Sequence, residues 1–385
     1  EFKRMPPAVW IGPSALTIPC PVTDMEQLSN RLSKVFSDYP ELFNHCVKVY
    51  QKRVDYYRLT SEGQKILQPD TVFHITARAS IKTDGNEVKT EYYRLHVGGI
   101  NDLPSEDALI GELHRFAEYM QQKSQAKAVE DLYIGPVLYE DDAAMELLAE
   151  KIADYSHSYW ISIRNQSDRK HRYLGKQVFP PALSVCQLGN DSVYNGVKLL
   201  GYRQVDADGT KPKTLPIIEK GILKHMLTGR TPSLGCPAST GNEHFDGLSR
   251  TLETRYTAGV FRVTSNRPVP YSKLYKRFLK AAKKAGLEHT YIIRKNRTSP
   301  YALIRVDLST GKEELVEGNY NSPSREQFKR MHAISKEENV YNLDPAGGKG
   351  LGIISPKAIL LEDMELDITP NRARHIDEAF YELRH

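Results

Sequence analysis

Cysteine is scarce and scattered: Cys20, Cys46, Cys186 and Cys236 are the only four in 385 residues. Their wide spacing excludes a CxxC zinc site and a dense disulfide framework, and leaves them as small hydrophobes. An excess of one charge is also lacking, since 53 Lys and Arg stand against 48 Asp and Glu, a net of +5. So small an excess is not that of a dedicated nucleic-acid binder, and no nucleic-acid partner is expected. No apolar run approaches the ~18 residues a membrane helix needs, so no membrane partner is expected either. What is present, 40% apolar and 26% charged residues, is the composition of a chain with a sizeable core. At ~100–200 residues per domain, two or three domains are expected. Position 1 is Glu, and no basic segment leading into an apolar one stands near it. The compartment is left open: cytoplasmic is favoured, with an exported form the alternative if a leader has been removed.

Several catalytic signatures are missing too. None of the histidines is followed by Glu, which removes the usual start of a zinc-peptidase helix. A G-x-S-x-G elbow is absent, the nearest string, Gly247-Leu248-Ser249-Arg250-Thr251, failing at its last position. In Gly347-Gly348-Lys349-Gly350-Leu351-Gly352 the residue after Lys349 is Gly350, where a phosphate-binding Walker loop needs Ser or Thr. A tight turn or close backbone approach is the plainer account of these glycines. The segment Thr240-Gly241-Asn242-Glu243-His244 gathers groups suited to a polar loop site, or to a turn. The six cations Lys273, Lys276, Arg277, Lys280, Lys283 and Lys284 read as a solvated face over a buried stripe, a polyanion-binding face being the alternative.

Periodicity supplies the architecture. Thr23-Asp24-Met25-Glu26 has the capping-box form, and Leu28, Leu32, Val35 and Phe36 follow at helical spacing, predicting a helix over 24–38. Residues 44–60 and 71–98 alternate like antiparallel strands, broken by turn signals at Ser61-Glu62-Gly63 and Asp84-Gly85-Asn86. A second helix is predicted over 105–122 from Ser105, with Leu109, Leu113, Phe116 and Met120 on one face. After the polar stretch 121–130 a new unit opens at Gly135-Pro136-Val137-Leu138, with a helix over 142–153. Beyond 175 come short apolar runs at 182–188, 197–206, 214–219, 222–227, 258–264, 290–294, 301–307, 312–316 and 357–366. A helix over 271–285 interrupts them, with Gly286 as its terminator. The expected fold class is α+β: a mixed α/β N-terminal domain, 1–130, followed by a larger β-rich domain, 131–385.

Several strings, in order, resemble the TldD/PmbA family, labelled modulators of DNA gyrase and also described as zinc-dependent peptidases. Gly135-Pro136-Val137-Leu138 and the helix ending Leu147-Leu148 are similar to the family's strand leading into its metal-binding helix. Leu174-Gly175-Lys176-Gln177-Val178 through Leu183-Ser184-Val185 resembles its next strand pair. Val205-Asp206-Ala207-Asp208-Gly209-Thr210, then Ile217-Ile218-Glu219-Lys220-Gly221-Ile222-Leu223-Lys224, is close to its acidic turn and strand-turn-strand. Thr240-Gly241-Asn242 is similar to its TGN loop, Gly348-Lys349-Gly350 to its Gly-Lys segment, and Ser355-Pro356-Lys357-Ala358-Ile359-Leu360 to its closing strand. The resemblance covers roughly 130–366, with a fainter echo over 40–100, and implies that the N-terminal domain begins part-way.

That resemblance also implies roles. The family's HExxxH motif falls on Ala149-Glu150-Lys151-Ile152-Ala153-Asp154, and its later Cys on Gly347. Glu150 alone keeps the general-base identity, and also reads as an ordinary surface carboxylate. Both histidines and the thiolate are replaced, so no metal and no cofactor are expected. Thr240, Gly241, Asn242, Gly347, Gly348 and Gly350 are the candidate peptide-binding residues, because bare backbone suits main-chain pairing. The implied function is a metal-free, non-catalytic member of a metallopeptidase family that binds peptide, as a homodimer or paired with a metal-bearing homologue. The alternative is an active peptidase with a non-standard zinc site drawn from His225, His244, Cys236 or Asp154; modulation of DNA gyrase is a third reading. Self-association is expected through the second domain, because Ala358-Ile359-Leu360-Leu361 is too apolar for an unprotected sheet edge.

Overall fold

The computed structural model describes residues 8–17, 19, 21–83, 87–156, 170–189, 191–231, 235–245, 254–256, 259–299, 301–344 and 350–368. The fold is α+β.

Helix α1, Val22–Ser33, buries Met25, Leu28 and Leu32, and a 3-10 turn, Lys34–Asp38, extends the stripe through Val35 and Phe36. The expected capping box does not form. Pro21 takes the N-cap with φ −76°, and no side chain caps the helix. Its carbonyl receives the Met25 N–H at 3.0 Å, so the ring-restricted proline starts the helix ahead of Thr23.

Strands Phe43–Leu59, Lys65–Lys82 and Val88–Val97 pair antiparallel, with Val9–Ile11 added parallel to the second. The second strand begins at Lys65 rather than 71, directly after the turn in which Gly63 takes φ +86°. The turn expected at 84–86 lies outside the described residues. Helix α2, Glu106–Ser124, starts where Ser105 Oγ accepts the Ala108 N–H at 3.3 Å. Its Leu109, Leu113, Phe116 and Met120 pack with Phe73, Ile75, Ala77 and Leu95 of this sheet.

Strand Asp131–Asp141 lies in a seven-stranded sheet, antiparallel to Ala358–Ile368 and parallel to His289–Lys295. Strand alternation sends Val137 and Tyr139 to one face and Leu138 to the other. On the first face, helix α3, Asp142–Ser156, packs Ala144, Met145, Leu148 and Ile152 into a core shared with Val185, Val263 and Ile353 of a six-stranded sheet. On the other, helix α4, Tyr271–Lys284, lays Leu274 and Phe278 over Leu138, Ile292 and Leu360. Gly286 follows α4 at φ +72°, as its spacing predicts. A short helix α5, Arg325–Lys329, carries a full capping box between Ser324 and Gln327.

Among the strands outside the predicted runs are Val9–Ile11, Met331–Ile334, and Glu338–Leu343 with Leu351–Pro356, the last two pairing in the six-stranded sheet. The run at 197–206 is strand only at Val197–Lys198. Beyond it Gly201 meets the Gly259 backbone so closely that a Cβ would stand 1.5 Å from the Gly259 oxygen. Ala358–Leu361 is not an exposed edge: all four side chains are fully buried, and the strand is bonded on both sides, by Met331–Ile334 and Asp131–Asp141. The reason offered for self-association through the second domain is thereby removed.

The two sheet systems are stitched together. Thr298–Ser299 pairs with Tyr93 and Tyr92 of the N-terminal sheet. Buried Lys123 on α2 joins Glu91 of that sheet to Glu317 of the seven-stranded one.

Candidate functional site

Glu150 projects from α3 with its side chain 53% exposed. Its Oε1 accepts from Lys151 Nζ at 2.7 Å and its Oε2 from Ser322 Oγ at 3.2 Å. Ala149 packs against the core. Gly347, Gly348 and the Asp154 side chain lie outside the described residues. His225 is exposed, its Nδ1 2.7 Å from the Pro216 carbonyl oxygen, while Cys236 is buried in the core and His244 buried elsewhere. Among the described residues no three His, Cys, Asp or Glu side chains converge in a way that could hold a metal ion. The Ala149 side chain has no donor atom and Glu150 is a lone carboxylate already engaged by Lys151 and Ser322, so these two positions do not assemble the several-ligand set that a zinc ion needs.

Thr240, Gly241 and Asn242 come together in a buried polar knot. The Asn242 and Gln187 amides exchange two hydrogen bonds, at 2.7 and 3.0 Å. Thr240 Oγ1 donates to Asn242 Oδ1 at 2.7 Å, and Asn242 is 1% exposed. Gly241 holds φ +77°, where a Cβ would stand 2.6 Å from the Lys211 carbonyl oxygen. Asp206 sits alongside: its Oδ1 accepts N–H bonds from Asp208 and Thr210 at 2.9 and 2.8 Å, and its Oδ2 one from Glu243 at 3.2 Å. Burial nonetheless pushes its carboxyl up to about 7. The knot docks on the N-terminal sheet through Arg58 to Asp208 at 2.9 Å and Gln68 Nε2 to the Val205 carbonyl at 2.8 Å. Gly350 lies apart, tight against Leu200, whose carbonyl oxygen would be 3.0 Å from a Cβ there.

A different place has the shape of a ligand site. A cavity of about 880 Å³ opens between the N-terminal sheet, the start of α3 and the strand Glu338–Leu343. That volume falls in the ~300–1,000 Å³ range of small-ligand pockets. His74, Arg94 and His96 line one wall, Asp141, Asp142 and Glu146 another, with Asn339, Tyr341 and Asp344 between them. Neither Glu150 nor the 240–242 loop nor Gly350 belongs to the lining. Burial pushes the Asp142 carboxyl up to about 6, although it accepts the Arg297 N–H at 2.7 Å. Burial, then the neighbouring His74, pushes the His96 imidazole down to about 4. Burial also opposes the Asp344 charge, but His74 and Lys52 outweigh it and hold that carboxyl below its usual range. Sequence reading missed this wall, because it is assembled from residues some 290 positions apart, as in the 3.1 Å Lys52–Asp344 pair. The one local signal was a histidine inside an otherwise core-like strand, Val72-Phe73-His74-Ile75.

The architecture is that of the TldD/PmbA-type α+β proteins. Residues 134–268 match the sequence model of the PmbA/TldA metallopeptidase C-terminal domain, which upholds the resemblance read from the motifs. The fold is similar to that of a candidate modulator of a DNA gyrase from Thermotoga maritima, with TM-score 0.62 and 14% identity over 90% of this chain and 74% of that one. It is likewise similar to a candidate modulator of DNA gyrase from Bacteroides thetaiotaomicron, TM-score 0.61 and 14% identity, covering 91% and 72% of the two chains. TldE from Thermococcus kodakarensis gives TM-score 0.61 and 11% identity over 93% and 77%. No curated protein matches the sequence.

Proposed function

We propose that this chain is a peptide-binding, non-catalytic member of the TldD/PmbA type, which associates with a second copy or with a metal-bearing homologue. The observation that carries the reading is the donor set on α3: within the segment similar to a metallopeptidase domain, the positions corresponding to the metal motif hold Ala149, Glu150 and Asp154. Glu150 is further engaged by Lys151 and Ser322. Without a Lewis acid, a water beside that carboxylate keeps its high pKa and is a poor nucleophile at neutral pH. The cavity between the sheets supports the binding half of the reading, being roomy and lined by polar groups of both signs.

Elemental analysis of protein purified without chelators tests it, with zinc expected well below one per chain. The triple variant Ala149→His, Asp154→His, Gly347→Cys is expected to raise zinc affinity by restoring imidazole and thiolate. Stoichiometric zinc in the unaltered protein overturns the reading, and so does peptide hydrolysis by the purified chain alone.

A further inference from the structure

Four side chains on one face of the N-terminal sheet form a block, two by two, against the cavity. His74 and Thr76 lie on strand Lys65–Lys82, with His96 and Arg94 directly opposite them on Val88–Val97. Tyr50 stacks on the His74 ring from the other side, centroids 4.4 Å apart and planes 6° from parallel, and His96 meets it edge-on at 4.9 Å. His74 is only 4% exposed, yet its Nδ1 has no hydrogen-bond partner. Its Nε2 lies 3.2 Å from Asp344 Oδ2, and Asp344 is itself neutralised by Lys52 Nζ, 3.1 Å from both carboxylate oxygens. His96 Nδ1 accepts the Asp344 N–H at 3.3 Å, which leaves that ring neutral.

Arg94 is the unmatched cation of the lining. Its guanidinium stands 5.2 Å from the centre of the Tyr92 ring, and no carboxylate pairs with it among the described residues. The other two cations of the lining are matched, Lys295 by Glu146 and Arg297 by Glu112. On the far wall the cavity ends in the carboxylates Asp141 and Asp142. The cavity therefore has a cationic pole on the sheet and an anionic pole at the start of α3.

We propose that the Arg94–His74 block is an anion subsite that receives a carboxylate of the bound ligand. Arg94 supplies the charge and a paired N–H fork of carboxylate geometry, and His74, whose Nε2–H faces Asp344, has to carry a proton on Nδ1 as well in order to donate the second, buried contact to the ligand. The neutral His96 and the stacked Tyr50 hold the His74 ring in place. This rests on the peptide reading and specifies the part of the peptide that enters: a free C-terminal carboxylate or an acidic side chain.

Calorimetric titration of the whole chain separates the cases. The probes are trialanine with a free C-terminus, its C-terminal amide, acetyl-Ala-Glu-Ala-amide, and glutarate alone. Arg94→Gln is expected to weaken the carboxylate-bearing probes at least tenfold and to leave the weak binding of the amide unchanged; His74→Phe, which keeps the stack, is expected to weaken the same probes. The trialanine pair reports a terminal carboxylate and the glutamyl peptide a side-chain one. If glutarate binds through Arg94 while no peptide binds, the subsite stands and the peptide reading falls. If no probe binds, or if Arg94→Gln changes none of them in a variant of unaltered circular dichroism, the subsite is overturned.

Discussion

Gln187 and Asn242, 55 positions apart, hold each other by two opposed amide hydrogen bonds. The pair joins the strand Leu183–Gln187 to the 240–242 loop, and Thr240 adds a third bond by donating to the same Asn242 oxygen. A string that looks like a ligand loop in one dimension is thus engaged within the protein itself.

Removing one amide should strand the other. Asn242→Leu leaves the Gln187 amide with buried unmet hydrogen bonds, while Thr240 keeps its bonds to Thr228, and is expected to cost about 2–4 kcal/mol. Gln187→Leu with Asn242→Leu should cost less than the sum of the single changes, because neither partner is then left behind. Urea unfolding of the four proteins measures this, and strict additivity would show that the two amides are not coupled.

Gly201 is expected to be intolerant of any side chain. A Cβ at 201 would fall 1.5 Å from the Gly259 oxygen, backbone against backbone, so Gly201→Ala should cost about 3 kcal/mol or more. Gly196 is the control: nothing lies within 4 Å of a Cβ there, and Gly196→Ala should lose only the about 1 kcal/mol set by its φ of +79°. Gly350→Val belongs with Gly201, since Leu200 fills the space a side chain would need. Thermal melts of the three variants give the order.

Elements governed by local periodicity were legible from the sequence. Leu274, Phe278 and Ala282 repeat at four-residue spacing before Gly286, and α4 follows. Ser105 and its apolar stripe likewise define α2. What escaped depends on distant chain segments. Glu338–Leu343 is half-buried along its length and carries no alternation, its strand character coming from the ladder with Leu351–Pro356. The cavity wall needs Tyr50, His74, His96 and Asp344 to meet, and strand register, which no local pattern in the sequence states, brings them together.

The buried acids should make stability fall as pH rises through the acidic range. The folded Asp206 carboxyl titrates near 7 because of burial, above the ~4 of an unfolded aspartate. Between those values the folded state binds more protons than the unfolded one, so the favourable contribution is complete below about pH 4 and lost by about pH 7, at up to about 1.4 kcal/mol per pH unit. Glu91, which burial raises to about 7, and Asp142, raised to about 6, act in the same direction. His96, lowered to about 4, acts in the opposite direction, its neutral folded form gaining stability as pH rises toward the ordinary histidine range. Asp206→Asn removes one titration and leaves the others, so the difference in unfolding free energy between wild type and variant is expected to change between pH 4 and 7. A constant offset would mean that Asp206 titrates alike in both states.

Self-association is expected to use the N-terminal sheet. Val9 and Ile11 are 66% and 62% exposed, Tyr57 and Leu59 are 68% and 77% exposed, and the two pairs flank Lys65 and Leu67 of the strand between them. Four large apolar side chains gathered on one sheet face are a surface that association would cover, and a two-fold arrangement lets the same patch cover itself. The Ala358–Leu361 run cannot serve, being fully buried in the seven-stranded sheet. Light scattering at micromolar concentration is expected to show a species larger than the 43.7 kDa chain, alone or mixed with a metal-bearing homologue. Tyr57→Ser with Leu59→Ser should shift that species toward monomer with little loss of stability, since neither side chain is buried. A larger species that the double variant leaves intact would move the interface elsewhere, and a monomer under every condition would remove the association from the proposed function.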